Sequence, residues 1–116
     1  MPTPFELCLV TAADAKTTRL LARGLVGRRL AACVTELPGA RSTYGWKGRL
    51  ETARERLLLI KTRRALRKAV TAFVAENHPY ENPEIIFLPV SAGARPYLEW
   101  LLAGTAPTKK NKDKRK

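Results

Sequence analysis

The chain has 116 residues, of which 45% are apolar and 28% charged, and its formal net charge is +12. That length holds one domain with a modest core and excludes two. No apolar run approaches the ~18 residues that cross a bilayer, and no basic segment followed by an apolar one opens the chain, so a membrane partner and a secreted form are not expected.

Residues 105–116 read as a basic, disordered tail after a domain spanning 1–104. The stretch from Lys109 to Lys116 holds six Lys/Arg and one Asp and so contributes +5 of the total. Cys8 and Cys33 have neither CxxC spacing nor an oxidising address beside them, which points to a cytoplasmic protein with reduced thiols.

Phe5 to Thr11 reads as a strand of large apolar residues. Asp14 is a cap for a helix over about Ala15 to Leu25, with Leu20, Leu21 and Leu25 facing a core and Gly27 as its stop. Leu30 to Gly48 forms the next extended stretch. Pro38-Gly39 interrupts its ladder, which predicts a bulge or bend within one strand. Tyr44 and Trp46 share a face, and Lys47-Gly48 is a hairpin turn leading into a strand from Arg49 to about Thr62.

Thr62 is the predicted cap of a second helix, about Arg63 to Asn77, whose Leu66, Val70, Phe73 and Val74 make an apolar stripe. Its first turns carry Arg63, Arg64, Arg67 and Lys68, either a solvated basic face or an anion site at a helix start. His78-Pro-Tyr-Glu-Asn-Pro-Glu84 follows as a stiff connector, since each proline pushes its predecessor out of the α region. Ile85 to Val90 is the last core strand, and Ala94 to Leu102 a short helix or extended segment.

Two crossovers flanking a hairpin give an α+β fold. It is the ferredoxin-like split βαβ sandwich, with both helices on one face of an antiparallel sheet. Leu57–Ile60 and Ile85–Leu88 are apolar at every position and need cover on both faces. Two helices cover only one, so a second copy of the chain is the expected cover for the other.

Several blocks then come in an order that resembles the CutA divalent-cation-tolerance family, within the PII-like superfamily. They are Leu30-Ala-Ala-Cys33-Val34, Pro38-Gly39 with Tyr44-Gly-Trp46-Lys-Gly48, Leu58-Leu-Ile-Lys61-Thr62, His78-Pro-Tyr-Glu81, Pro83-Glu84-Ile85 and Tyr97-Leu-Glu-Trp100-Leu101. The resemblance covers about residues 5–102. It implies a homotrimer assembled through its sheets, a non-catalytic response to copper or other divalent cations, and no established reaction. The chain departs from the family pattern at Ala13, where proline is usual, at Lys47, where glutamate is usual, and at Val10, where some relatives carry cysteine.

His78, Glu84, Glu81 and Cys33 are the candidate metal groups, because imidazole, carboxylate and thiolate together suit a weakly bound Cu or Zn. Cys8 is a second possible thiolate. The competing role for His78 is the end of the second helix, where a cationic ring meets the dipole, and for Cys33 a packed thiol. Tyr44, Trp46 and Tyr80 form a candidate interface or ligand patch. No Ser/His/Asp set, carboxylate pair or phosphate-binding glycine motif can be assembled, so an enzyme is not expected. The alternatives are a PII-like module binding a small anion at the second helix, and weak nucleic-acid association through the tail. No RRM-like aromatic signature supports the latter.

Overall fold

Alternation along the strands decides the architecture. In β1 (Phe5–Ala12) the side chains of Cys8, Val10 and Ala12 are fully buried, while Leu7 and Leu9 on the other face are only half-buried. In β3 (Arg49–Arg63) Leu58 and Ile60 are buried, and Leu57 and Leu59 are not. The structure, a computed structural model, describes residues 3–107. Its remaining elements are α1 (Ala15–Gly27), β2 (Cys33–Trp46), a 3-10 turn (Arg64–Leu66), α2 (Arg67–Asn77), β4 (Ile86–Pro89) and α3 (Arg95–Gly104).

The sheet runs β2-β3-β1-β4 with every neighbouring pair antiparallel, the strand order of the ferredoxin-like sandwich. Leu21 and Leu25 of α1, with Val70, Phe73 and Val74 of α2, pack on Cys8, Val10, Leu58 and Ile60. The two helices approach closely at Gly24, where an added Cβ would lie 2.1 Å from Cζ of Phe73. The glycine that weakens α1 as a helix is what lets α2 lie against it.

The opposite face is bare. Leu37 and Ile86 are each 47% exposed and Leu88 43%, with Leu57 and Leu59 between them in register.

Asp14 caps α1 as expected, its Oδ1 accepting from Thr17 N at 2.8 Å. The Pro38-Gly39 interruption is a register shift between Leu37 and Ala40, with β2 continuing beyond it. Lys47 and Gly48 both take positive φ, 51° and 77°, as a two-residue primed hairpin turn requires. Ala94–Leu102 resolves as helix, with Pro96 in the first turn of α3.

Three boundaries differ. Thr62 does not cap the second helix. Its hydroxyl donates to Leu30 O at 2.6 Å while its backbone stays in the sheet opposite Glu6, so β3 runs on to Arg63 and α2 starts only after the 3-10 turn, without a side-chain cap. β2 begins at Cys33 because the amides of Leu30 and Ala31 both turn back to Leu25 O, closing the end of α1. Packing also continues past residue 104. Thr105 is buried, Ala106 N donates to Arg29 O at 2.7 Å, and the Arg63 side chain donates to both Thr105 Oγ1 and Ala106 O. Lys109–Lys116 lies outside the described residues.

Candidate functional site

The connector after α2 is held by its own histidine. Pro79 keeps His78 extended (φ −104°, ψ 135°), and the ring turns back under the sheet end, only 8% of the residue remaining exposed. Nε2 donates to Thr11 O at 2.8 Å, and Nδ1 accepts from Tyr80 N at 3.2 Å, which fixes the tautomer with hydrogen on Nε2. The ring also packs 4.6 Å from that of Tyr80 at a tilt of 54°. Tyr80 is thereby aimed across to β3, where its hydroxyl donates to Glu55 Oε2 at 2.7 Å. Ser42 of β2 donates to the other oxygen, Oε1, at 2.6 Å. Glu55, on β3 between Arg54 and Arg56, is only 7% exposed.

These contacts form the inner wall of an open cleft of about 990 Å³. Tyr44, Trp46 and Tyr80 line it together with the carboxylates Glu51, Glu55, Glu81 and Glu84, and Thr11, Ser42, Thr43, Gly45 and Asn82 complete it. Four of the chain's ten acidic residues thus meet in one place in a protein of charge +12, and no lysine or arginine is among the lining residues. Burial, and then the charge of Glu55, push the Glu84 carboxyl above its ordinary value. The Tyr80 hydroxyl is raised by burial first, then by its bond to Glu55.

Of the residues singled out from the sequence, Glu81, Glu84, Tyr44, Trp46 and Tyr80 come together here. His78 stands behind Tyr80 with both ring nitrogens engaged. Cys33 does not reach the cleft. It pairs with Lys61, six residues beyond Glu55 on β3 and so ~20 Å along the strand. There its sulfur lies 3.6 Å from Lys61 Nζ, which also donates to Thr35 Oγ1 at 2.7 Å. Cys8 is in the core, and its thiol is pushed up to about 12, chiefly by burial. Among the described residues, no three His, Cys, Asp or Glu side chains converge into a group that could hold a metal ion.

The arginines at the start of the second helix are occupied within the chain. Arg67 makes a two-pronged pair with the buried Glu6, Nε to Oε1 being 2.6 Å. Arg64 donates to Thr3 O at 2.9 Å and lies 3.8 Å from Glu6, while Arg63 holds Thr105 and Ala106.

Glu51, Glu55 and Ser42 escaped the sequence reading. The signal for them is the hairpin register. A turn at Lys47-Gly48 pairs Tyr44 with Glu51 and Ser42 with Ala53, so Glu51 and Glu55, both odd-numbered, share the face of Tyr44 and Trp46.

Comparison with known proteins gives the same answer from sequence and from shape. The family described as CutA1 divalent ion tolerance protein matches residues 6–103. A protein from Pectobacterium atrosepticum named divalent-cation tolerance protein CutA is 47% identical over 95 residues, covering 82% of this chain and 86% of that one. A rice protein named Protein CutA 1, chloroplastic, is 42% identical over 102 residues, and there the match covers 88% of this chain but only 58% of the relative. The chain therefore spans little more than half the length of that plant protein. The crystal structure of CutA from Xylella fastidiosa superposes with a TM-score of 0.87 at 41% identity, covering 90% of this chain and all of that one.

Proposed function

Because this chain belongs to the CutA1 divalent ion tolerance protein family, we propose that it is a non-catalytic, cytoplasmic protein that binds divalent cations such as copper weakly at the carboxylate cleft. The observation that carries this reading is the meeting of Glu51, Glu55, Glu81 and Glu84 in a cleft with no lysine or arginine among its lining residues, in a chain that is otherwise strongly basic. Burying Glu84 near Glu55 holds an excess of negative charge that a divalent cation relieves. Glu81 is exposed and Glu84 half-exposed, and the two stand three residues apart on the connector, which makes them the first oxygen ligands. His78 enters the set only by releasing Nδ1 from the Tyr80 amide.

One chain supplies an incomplete ligand set, and the bare sheet face supports how it is completed. Glu51 and Glu55 lie on the same face as Leu57 and Leu59. A copy covering those leucines would therefore also border the cleft. We read the assembly as a homotrimer, the number three coming from the family resemblance. Light scattering tests it, with a mass near three times 12.9 kDa as the expected result.

Calorimetric titration of copper tests the site. Glu84→Gln is expected to weaken binding about tenfold, the loss of a charge-assisted ligand bond worth about 1.4 kcal/mol. Wild-type affinity in that variant overturns the cleft as the site. Wild-type affinity in His78→Ala leaves the histidine as architecture only.

A further inference from the structure

The cleft has more room than a metal ion uses, and its walls are of two kinds. About 990 Å³ is the size of a pocket for a small organic molecule. Tyr44 and Trp46 expose 43% and 44% of their surface beside it, and ring faces attract cations. Trp46 already has one within reach, Lys47 Nζ being 5.8 Å from its ring centroid. Glu55 is more than nine-tenths buried and held by Tyr80 and Ser42, so one negative charge is fixed in the wall. Glu51 lies four residues away on the same strand face, ~13 Å along it, with Tyr44 as its cross-strand partner. A compact ion cannot touch both carboxylates. A ligand with ammonium groups joined by methylenes can, and its apolar links then lie on aromatic surface.

We propose that this cleft binds a linear aliphatic polyamine, one ammonium at Glu55 and Glu84 and another at Glu51, with the methylene chain across Tyr44 and Trp46. The proposal rests on reading the cleft as a cation site and names a second class of cation for it. Aromatic walls are what separate the two classes. A divalent metal is held by lone-pair ligands and gains nothing from the methylene-binding surface of Trp46, whereas an alkylammonium chain uses both the carboxylates and the rings.

The test is calorimetry on the full chain at near-physiological salt, with spermidine and hexaamminecobalt(III) as trivalent probes of extended and compact shape. Spermidine is expected to bind about tenfold more tightly, and Trp46→Ala and Tyr44→Leu each to weaken it about fivefold, the loss of one cation–ring contact. Glu76→Gln, on the exposed side of α2, should leave it unchanged. Trp46→Phe, which keeps a ring, should recover most of the affinity. Equal binding of the two trivalent probes, or wild-type spermidine affinity in both aromatic variants, overturns the proposal. Copper binding with no spermidine binding overturns this inference alone. Spermidine binding with no copper binding overturns the metal reading and leaves this one standing.

Discussion

The two ends of β3 treat charge in opposite ways. At the Arg63 end, Arg63, Arg64 and Arg67 are turned inward on Glu6, Thr105, Ala106 and Thr3, and they fasten the start of the chain, the start of α2 and the end of α3 to the sheet. At the Glu51 end, four carboxylates line an open cleft with no lysine or arginine among its lining residues, and Glu55 is held by two hydroxyl groups. The net charge of +12 hides both facts. Part of the positive charge is consumed in structure, and the negative charge that remains is gathered where a ligand could use it. A carboxylate at the first end should therefore stabilise the fold, and one at the second should cost stability until a cation arrives.

The largest expected effect breaks the first end. Glu6 is 1% exposed and accepts from Arg67, with Arg64 a further 3.8 Å ion-pair partner. Removing one partner of a fully buried pair costs about 3–5 kcal/mol. Arg67 is half exposed, so water rescues much of the orphaned cation, and Glu6→Gln is expected to cost about 2 kcal/mol by urea denaturation. A change below about 0.5 kcal/mol would mean that the arginines are held by packing alone.

Tyr80→Phe probes the other end and is expected to cost less. It removes the hydroxyl that donates to Glu55, a net loss of about 1 kcal/mol for one bond to a charged acceptor whose cleft side can be rehydrated. Its sharper readout is the ligand site. With Glu55 no longer pinned on one oxygen, affinity for copper should shift while the melting temperature moves by only a few degrees. A large loss of stability with unchanged affinity would place Tyr80 with the architecture of the first end.

Most of the fold was legible because it rests on local periodicity. The large apolar residues of Phe5–Thr11, the stripe from Leu66 to Val74, the Pro38-Gly39 break and the Lys47-Gly48 turn each carry their own signal, and each stands where it was expected. The cap at Thr62 failed because its backbone stays in the sheet opposite Glu6, and its hydroxyl is turned to donate to Leu30 O, 32 residues away, instead of accepting from a helix amide. No local pattern reports such a competitor. The cleft was half legible for the same reason. Glu81, Glu84 and Tyr80 stand out on a proline-stiffened connector, but Glu55 is buried only because that connector folds over it. The histidine drew attention for its chemistry, and the structure shows it aiming Tyr80.

Glu84→Gln should give the smallest effect and the opposite sign from Glu6→Gln. Burial and the charge of Glu55 hold the folded Glu84 carboxyl above its ordinary value of 4.5. The folded state then binds the proton more tightly than the unfolded chain does. The stability this contributes is fully present below pH 4.5 and is lost as pH rises through the raised value. At neutral pH the wild type carries the penalty and the glutamine variant does not. Glu84 is partly exposed, so solvent screening leaves only a few tenths of a kcal/mol, and Glu84→Gln should be more stable than wild type by that amount near pH 7 and equal to it near pH 4. Saturating copper should reverse the order at pH 7, because a ligand that binds the folded wild type more tightly stabilises it by mass action. If the variant is instead less stable at neutral pH without any metal, Glu84 is already satisfied within the chain, and the two ends of β3 are alike.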